Sequence, residues 1–379
     1  MLAVGMIRGK KGIFDFEIPK PGITRPDEVL VRVKEVGLDG TDFNIARYNL
    51  QDIADGRDEM VMGHEMSGVV DEVGSAVKSL SPGDPVVVTV RRGDGICQPC
   101  LHNQSDMCLT GLFTEHGIHK LDGFLTQYTV AQEQYVVKVP RKLAKLAVLA
   151  EPMSIAEKGV EQIKHIQSRI HWYCGHSEHS WDSEQWGGCK VALVVGAGPL
   201  GLLATALLRL AGVTTYTSDL LPESHPRIKL LVNTQTHYID ARDKAPKDLV
   251  KLCCTAGNLD IIFEAAGAAA TAVALIPYMS RSSIYVMTGI PREELRMELD
   301  AAQLVHHIVS YNQVVVGSVN SNRRHFETAL KHMPVINERF DGLLDKMITH
   351  RFPLSDYKKA FATADTSAIK TVIEVEPWD

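Results

Sequence analysis

The chain has 379 residues, of which 45% are hydrophobic and 23% charged, and its formal net charge is −6. This length exceeds one compact core, so we expect two domains. The mild negative charge has no acidic or basic block, which argues against nucleic acid or a membrane surface as a partner and favours a small molecule. The first residues lack a leader pattern and no run reaches the roughly 18 apolar residues of a membrane helix, so we expect a cytoplasmic enzyme.

The first part of the chain is predicted to form short strands of a barrel-like sheet. Residues 29–36 alternate between apolar and polar, and a similar texture recurs at 67–73 and 85–90, each bounded by Gly, Pro or Asp. Residues 143–159 gain alanine and a helical spacing, which predicts a helix. Residues 170–189 have no clear period and indicate an irregular connection.

The second part of the chain alternates between strands and helices. This alternation is typical of a doubly wound parallel sheet. A closing strand is predicted at 368–376 and could return to the first sheet. The predicted strands are 190–195, 213–218, 259–263 and 283–287, and the predicted helices are 202–211, 340–346 and 357–364.

A glycine-rich turn follows the strand at 190–195 and opens a helix. Gly196, Gly198 and Gly201 match the dinucleotide fingerprint, in which successive glycines make the turn, admit the pyrophosphate and allow close helix packing. Pro199 and Leu200 lie inside the turn, and we assign all five residues to cofactor binding. We also assign Thr288, Gly289, Ser318 and Asn320 to this site.

Asp219 ends the next predicted strand and indicates which nicotinamide cofactor is used. Its carboxylate can accept hydrogen bonds from the ribose hydroxyls and would repel a 2′-phosphate. The first cation downstream that could contact such a phosphate is Arg227. NAD is therefore the preferred cofactor, and NADP remains possible.

Gly63-His64-Glu65 lies downstream of an isolated Asp39 and upstream of Glu151. Imidazole and carboxylate groups in this pattern suit a catalytic zinc that keeps one coordination position open. An alternative is that Asp39 only forms a turn before Gly40. Zinc beside a nicotinamide indicates hydride transfer from an alcohol.

The chain resembles the zinc-containing medium-chain alcohol dehydrogenases through Gly63 to Val70 and the turn at Val73-Gly74. Within that family it looks most like the archaeal glucose dehydrogenases. The motifs that carry this closer resemblance are Gly40-Thr41-Asp42, Arg91-Arg92-Gly93, the segment Thr114 to Phe124, and Glu151-Pro152. The resemblance implies an α/β fold with a GroES-like β-barrel catalytic domain at 1–188 and 322–379, and a Rossmann dinucleotide-binding domain at 189–321.

The resemblance also implies the site residues. Zinc would be bound by Asp39, His64 and either Glu65 or Glu151, with Asp39 in place of the usual cysteine. Thr41 would pass on the proton of the alcohol, or else merely cap the following helix. Glu115 and Asn320 would bind the sugar, with Glu151 nearby, while Glu115 could instead be a solvated loop acid. Val90 stands where sugar dehydrogenases can carry an asparagine, which leaves the preferred sugar open.

A second metal lobe is predicted at Cys97, Cys100 and Cys108. Their spacing reproduces three of the four thiolates of the family's structural zinc lobe, and Asp94 falls on the fourth position. The alternative is a lobe without metal that holds inert thiols. The irregularly spaced His171, Cys174, His176 and His179 are not interpreted as a third site.

These observations predict a zinc-dependent, NAD-preferring dehydrogenase that oxidises the anomeric hydroxyl of an aldose, glucose foremost, to the lactone. Two alternatives are a polyol or secondary-alcohol dehydrogenase, and a catalytically silent nucleotide-binding protein that has lost its zinc. A homodimer or homotetramer is expected, since the family tends to pair through the edge of its nucleotide domain.

Overall fold

A computed structural model of the chain describes residues 1–170, 180–255, 257–291, 295–362 and 367–378. The histidine-rich segment that begins at His171 lies outside these residues. By the contacts that its residues make, the chain divides into two compact units. The first comprises 1–154, 320–335 and 344–379, and the second comprises 155–319 and 336–343. The domain boundaries that the resemblance implies are 188/189 and 321/322.

Short strands dominate the first unit, and strands alternate with helices in the second. The strands in chain order are β1 Leu2–Ile7, β2 Phe14–Glu17, β3 Glu28–Leu38, β4 Glu59–Val61, β5 Glu65–Val73, β6 Pro85–Val88, β7 Arg91–Arg92, β8 Thr114–His116, β9 Lys120–Leu121, β10 Tyr128–Gln132, β11 Val136–Lys138, β12 Val191–Val195, β13 Thr214–Asp219, β14 His237–Asp240, β15 Leu259–Glu264, β16 Ile284–Met287, β17 Val314–Gly317, β18 Ile348–Pro353 and β19 Lys370–Glu374. The helices are α1 Gly40–Tyr48, α2 Gln98–Leu101, α3 Ala150–Gln167, α4 Pro199–Leu210, α5 Pro226–Val232, α6 Pro246–Cys253, α7 Ala269–Leu275, α8 Ala301–Ser310, α9 Arg323–Arg339, α10 Leu343–Met347 and α11 Tyr357–Ala362.

The main sheet of the first unit has the order β11-β6-β5-β3-β19-β18, and β10 also pairs with β3. Two smaller sheets have the orders β2-β1-β4 and β7-β8-β9. The strands predicted from alternation are confirmed as β3, β5 and β6. The predicted return of the C-terminal strand is also confirmed, because β19 pairs antiparallel with β3 between Thr371 and Leu38.

Strand β3 is buried along nearly its whole length, although its sequence alternates as in a half-buried strand. Its polar positions are therefore paired. Lys34 is 1% exposed, and its Nζ donates to Glu376 Oε1 and to the carbonyl of Pro377, both at 2.9 Å. Glu35 forms an ion pair with Arg351. A buried charge needs such a partner to offset its lost hydration.

The second unit contains a six-stranded parallel sheet of order β14-β13-β12-β15-β16-β17. Its central strand β12 is wholly buried, as its continuous apolar run predicts. The carboxyl ends of β12, β13 and β15 lie at the same edge, where such sheets bind ligands.

Three predicted helical segments differ in detail from the structure. Residues 141–149 form a 3-10 helix before α3 begins at Ala150. The helix predicted from Phe340 is α10, which begins at Leu343, and the long helix α9 before it was not predicted. Helix α11 ends its described part at Ala362. Across the described ranges, no helix is both long and apolar enough to span a bilayer.

Candidate active site

Asp39 follows β3 directly and caps the first turn of α1. Its Oδ1 accepts hydrogen bonds from the backbone N–H groups of Thr41 at 2.7 Å and Asp42 at 3.1 Å. The Thr41 hydroxyl donates to Asp39 Oδ2 at 3.3 Å. The cap of α1 is therefore Asp39, and Thr41, the second residue of the helix, donates to the cap and is not itself the cap. A capping carboxylate still has lone pairs for a metal ion.

His64 stands between two carboxylates and is 4% exposed. Its Nε2 lies 3.7 Å from Asp39 Oδ1, and its Nδ1 lies 3.6 Å from Asp42 Oδ1. These separations are too long for hydrogen bonds, and within the described residues both His64 Nδ1 and Asp42 Oδ1 lack a hydrogen-bond partner. Burial opposes the charge on the ring, but Asp42 and Asp39 outweigh it and raise the pKa of His64 well above its usual value.

Glu65 begins β5 beside Gly37 of β3. Its carboxylate forms a fully buried ion pair with Lys370, the first residue of β19. A Cβ at Gly37 would lie 2.1 Å from Glu65 Oε2 and 2.9 Å from Lys370 Cε. Glycine at position 37 is therefore required because the ion pair lies directly over the strand.

Glu151 lies in the first turn of α3 and is 8% exposed. The pKa of Glu151 is raised to about 8: burial raises it most, the charge of His64 opposes the shift, and the nearby charges of Glu65 and Asp39 add to it. Burial likewise raises the pKa of Glu65, although Lys370 opposes the shift. These carboxyls therefore gain from any added positive charge.

The donors of this cluster fit a divalent metal ion. Asp39, His64 and Glu65 can each offer a ligand atom such that the three atoms lie within 4.8 Å of one another. Glu151 lies outside that set but interacts electrostatically with His64 and Asp39. An imidazole whose Nε2 faces the carboxylate of Asp39, close to Glu65 and Glu151, whose pKa values are raised by burial, suits zinc.

Zinc binding is expected to release about two protons per site near pH 7. Without metal, the raised pKa values of His64 and Glu151 keep both groups largely protonated at pH 7. Zinc must displace these protons, so its affinity should strengthen as pH rises from 6 towards 8. Calorimetric titration of the metal-depleted protein in buffers of different ionisation enthalpy measures the number. Release of no proton would contradict ligation by His64.

Glu115, in β8, is held by two donors in the same unit. Arg91 Nε and Nη2 both lie 2.9 Å from Glu115 Oε1, and Asn320 Nδ2 donates to the same oxygen at 2.6 Å. The guanidinium also stacks 3.9 Å from the ring centre of Phe113. The structure thus brings Glu115 and Asn320 together, although 205 positions separate them in sequence.

The segment that carries Glu115 packs by its backbone against the residue before His64. A Cβ at Gly117 would lie 2.6 Å from the Gly63 carbonyl oxygen, and one at Gly123 would lie 2.3 Å from it. The backbone N–H of Phe124 donates to the same carbonyl at 2.9 Å. We call this contact of Gly63, Gly117 and Gly123 the glycine junction. It connects the segment that carries Glu115 to His64.

The second predicted cluster also comes together. Asp94, Cys97, Cys100 and Cys108 place one ligand atom each within 4.8 Å of one another. Asp94 Oδ2 accepts from Thr110 Oγ1 at 2.5 Å and lies 3.4 Å from Cys108 Sγ. Burial raises the pKa of Cys100 to about 12, so a bound metal would be needed to hold its thiolate.

In the second unit, the predicted dinucleotide turn joins β12 to α4. Gly196 has φ +98°, and a Cβ at Gly201 would lie 1.9 Å from the Gly196 carbonyl oxygen. Around Gly198, by contrast, an added Cβ would meet nothing within 4 Å. These are the three roles that the fingerprint assigns to its glycines. Pro199 and Leu200 form the first turn of α4.

Asp219 ends β13 and faces the turn. Its Oδ2 accepts from the backbone N–H of Ala197 at 2.6 Å, and its Oδ1 accepts from that of Leu221 at 3.0 Å. The carboxylate therefore fixes the loop beside the position expected for the adenosine ribose. Arg227 interacts electrostatically with it, and burial lowers the pKa of that guanidinium.

The other residues assigned to the cofactor lie at strand ends. The Thr288 hydroxyl donates to the Glu264 carbonyl at 2.6 Å, and the Gly289 N–H donates to Glu264 Oε2 at 3.2 Å. The Ser318 N–H donates to the Met287 carbonyl at 2.9 Å, at the end of β17.

Comparison with known proteins identifies the family. A family model for the glucose dehydrogenase C-terminus matches residues 144–375, and one for the alcohol dehydrogenase GroES-like domain matches residues 25–141. The chain belongs to the glucose dehydrogenases of the zinc-containing medium-chain alcohol dehydrogenase family. The predicted resemblance and fold class are thereby confirmed.

The match to known relatives covers nearly the whole length of this member of the glucose dehydrogenase family. The glucose 1-dehydrogenase of Methanocella arvoryzae is 32% identical and covers 99% of each chain, and that of Thermoproteus tenax is 34% identical over 94% of each chain. The solved structure of Haloferax mediterranei glucose dehydrogenase in complex with NADP, Zn and gluconolactone is 30% identical, with a TM-score of 0.86 and full coverage of both chains.

Some residues of this dehydrogenase site were not assigned a role from sequence. Lys370 gave no signal, because a lysine at the start of a terminal strand is usually exposed. Arg91 appeared only within a motif, and Asp42 only beside Thr41. Glu264 closes an apolar strand, where a buried carboxylate that accepts several backbone N–H groups is not visible from sequence.

Proposed function

We propose that the chain is a zinc-dependent glucose 1-dehydrogenase, which oxidises the anomeric hydroxyl of glucose to the lactone and transfers a hydride to a nicotinamide. The observation that carries the proposal is the carboxylate Glu115, anchored by Arg91 and Asn320 in the same unit as the metal cluster. An ionised carboxylate with a free oxygen accepts hydrogen bonds from sugar hydroxyls. The glucose dehydrogenase relatives support the same substrate class.

We propose that zinc is held by Asp39, His64 and either Glu65 or Glu151. The ion pair between Glu65 and Lys370 favours Glu151 as the third ligand. Bound zinc supplies a Lewis acid that lowers the pKa of an alcohol hydroxyl. Oxygen in place of sulfur at position 39 makes the donor set harder.

The remaining steps are assigned to residues of the chain. Thr41 Oγ1, 3.3 Å from Asp39 Oδ2, accepts the hydroxyl proton of the sugar as it releases its own proton to solvent. Glu115 and Asn320 orient the sugar ring by accepting and donating hydrogen bonds to its hydroxyls. Such orientation lowers the activation barrier of hydride transfer by about 7 kcal/mol in favourable cases.

NAD is proposed as the preferred cofactor, with NADP as a possible second. The carboxylate of Asp219 would repel a 2′-phosphate, whereas Arg227 could partly offset it. The Haloferax structure contains NADP, which keeps the second cofactor open for this chain. The structural lobe at Asp94, Cys97, Cys100 and Cys108 is proposed to hold a further zinc.

A substrate panel with both cofactors tests the proposal. The purified, zinc-loaded protein should reduce NAD with glucose, with a kcat/KM above that for NADP and above that for secondary alcohols. Faster oxidation of secondary alcohols or polyols than of aldoses would overturn the glucose assignment. At most one zinc per chain, the amount that the lobe alone would hold, together with no activity on any sugar would favour a catalytically silent nucleotide-binding protein.

We further propose a cytoplasmic homodimer or homotetramer. The six described cysteines are free thiols, as expected in a reducing compartment. Strand β17 is an edge strand, and residues 313–319 carry no charge. Its open backbone N–H and C=O groups can therefore pair with a second copy of the chain. Val315 of this strand is exposed, as are Val305 and Val309 of α8, the helix before it. Light scattering that gives a monomer mass would contradict the assembly.

A further inference from the structure

Arg91 connects the sugar carboxylate to a second part of the first unit. Two of its nitrogens contact Glu115 Oε1, and the third, Nη1, donates to the backbone carbonyl of Asp106 at 3.0 Å. Arg91 is only 7% exposed, and Phe113 covers one face of the guanidinium. The position of Glu115 therefore depends on where the Asp106 carbonyl lies.

Asp106 belongs to a 3-10 turn, Ser105–Met107. Further hydrogen bonds connect this turn to Asn322 and to Arg91. Asn322 Nδ2 donates to Asp106 Oδ1 at 2.9 Å, and both groups are buried. Asn322 follows the sugar-site residue Asn320 after a single position. The Ser105 hydroxyl donates to the Arg91 carbonyl at 3.3 Å. The turn thus contacts Arg91, which holds Glu115, and Asn322, which lies two residues after Asn320.

The same turn is continuous with the Asp94, Cys97, Cys100 and Cys108 lobe. Cys108 follows Met107 directly, and its N–H donates to the Ser105 carbonyl at 3.3 Å. On the other side, a Cβ at Gly93 would lie 2.3 Å from Cys100 Sγ and 3.2 Å from Ser105 Cβ. Any rearrangement of the lobe must therefore move the turn.

We propose that this lobe is a positioning element for sugar binding, which sets the place of Glu115 through the Ser105–Met107 turn and Arg91. The inference rests on the proposed function for the identity of the sugar. Its consequence is that loss of lobe metal or oxidation of lobe thiols weakens sugar binding while cofactor binding is retained.

Kinetics of Cys108→Ser and Arg91→Lys test the coupling. Lysine cannot reproduce the guanidinium fork, so R91K should raise the glucose KM about tenfold or more. C108S should raise it in the same direction, with the NAD KM within about twofold of wild type. The double variant should exceed R91K little, because the two changes act through the same contact. Fully multiplicative effects would overturn the proposal.

Matched variants separate the coupling from general damage. Leu109→Ser alters a side chain that is 76% exposed on the same lobe and should leave the glucose KM unchanged. Asn322→Ser removes the contact to Asp106 but keeps a residue that can cap α9, so it tests the coupling even if C108S folds poorly. N322S should also raise the glucose KM selectively, and an unchanged KM would count against the proposal.

Hydrogen exchange gives a readout that does not depend on the sugar. Deuterium uptake of residues 113–117 should rise in C108S and N322S but not in L109S, while β3 remains protected. Unchanged uptake in both variants would overturn the coupling. If the wild type oxidises no aldose, the proposed function fails by itself, and the uptake comparison still decides whether the lobe positions Glu115.

Discussion

Replacing His64 with alanine is expected to remove the catalytic zinc and lower kcat/KM for glucose about a thousandfold or more. His64 is the one imidazole among the carboxylates of the cluster, and it lies 3.7 Å from Asp39 Oδ1. Its loss leaves the acids without a neutral nitrogen donor. Zinc content by mass spectrometry under native conditions and steady-state kinetics measure both effects.

His165→Ala is the matched control for this change. His165 is exposed in the last turn of α3, so the same substitution there should leave zinc content and kcat/KM unchanged. The binding of NAD, followed by fluorescence, should persist in both variants. Full zinc retention with wild-type turnover in H64A would refute the proposed metal site.

Lys370→Met is expected to destabilise the protein by about 3–5 kcal/mol, because it leaves the buried carboxylate of Glu65 without its cation. Both side chains are 1% exposed. Without Lys370, the folded-state pKa of Glu65 rises further above its unfolded value, so stability falls progressively as pH rises above about 4.3. The deficit should therefore be small in acid and large at pH 8. Urea unfolding of metal-depleted protein at several pH values measures it.

Two variants bracket that result. Lys370→Arg keeps a cation and should recover part of the stability, although Gly37 leaves little room beside the ion pair. Lys142→Met changes an exposed lysine and should alter stability by less than about 0.5 kcal/mol. A K370M deficit that does not depend on pH would show that Glu65 is not the group left unpaired.

The sequence predicts local features of the site well. The turn that holds the glycines at 196, 198 and 201 was predictable, because a strand-to-helix turn is set by neighbouring residues, and it joins β12 to α4 as expected. The four residues of the lobe lie within 15 positions, and the structure brings them together. The strands β3, β5 and β6 follow from alternation, because side chains on a strand point to opposite faces in turn.

Contacts between distant parts of the chain were not predictable in the same way. The partner of Glu65 is Lys370, which comes close only because β19 pairs with β3. The contact between Asn320 and Glu115 depends likewise on tertiary packing. The resemblance implied roles for Asn320 and Glu115 but did not indicate that their side chains contact each other. Helix α9 was missed because its long sequence is polar and contains Pro334, which normally ends a helix.

The glycine junction has a consequence for attempts to change the substrate range. The two backbones are in direct contact there. The spacing between the segments that carry His64 and Glu115 is therefore set by backbone contact and not by the length of intervening side chains. Substitutions at Gly63, Gly117 or Gly123 would separate the two segments and lower the activity towards every substrate alike. Engineered selectivity for larger or smaller sugars is therefore expected to come from residues near the glycine junction, such as Val90 or Ile118, while the junction itself is kept.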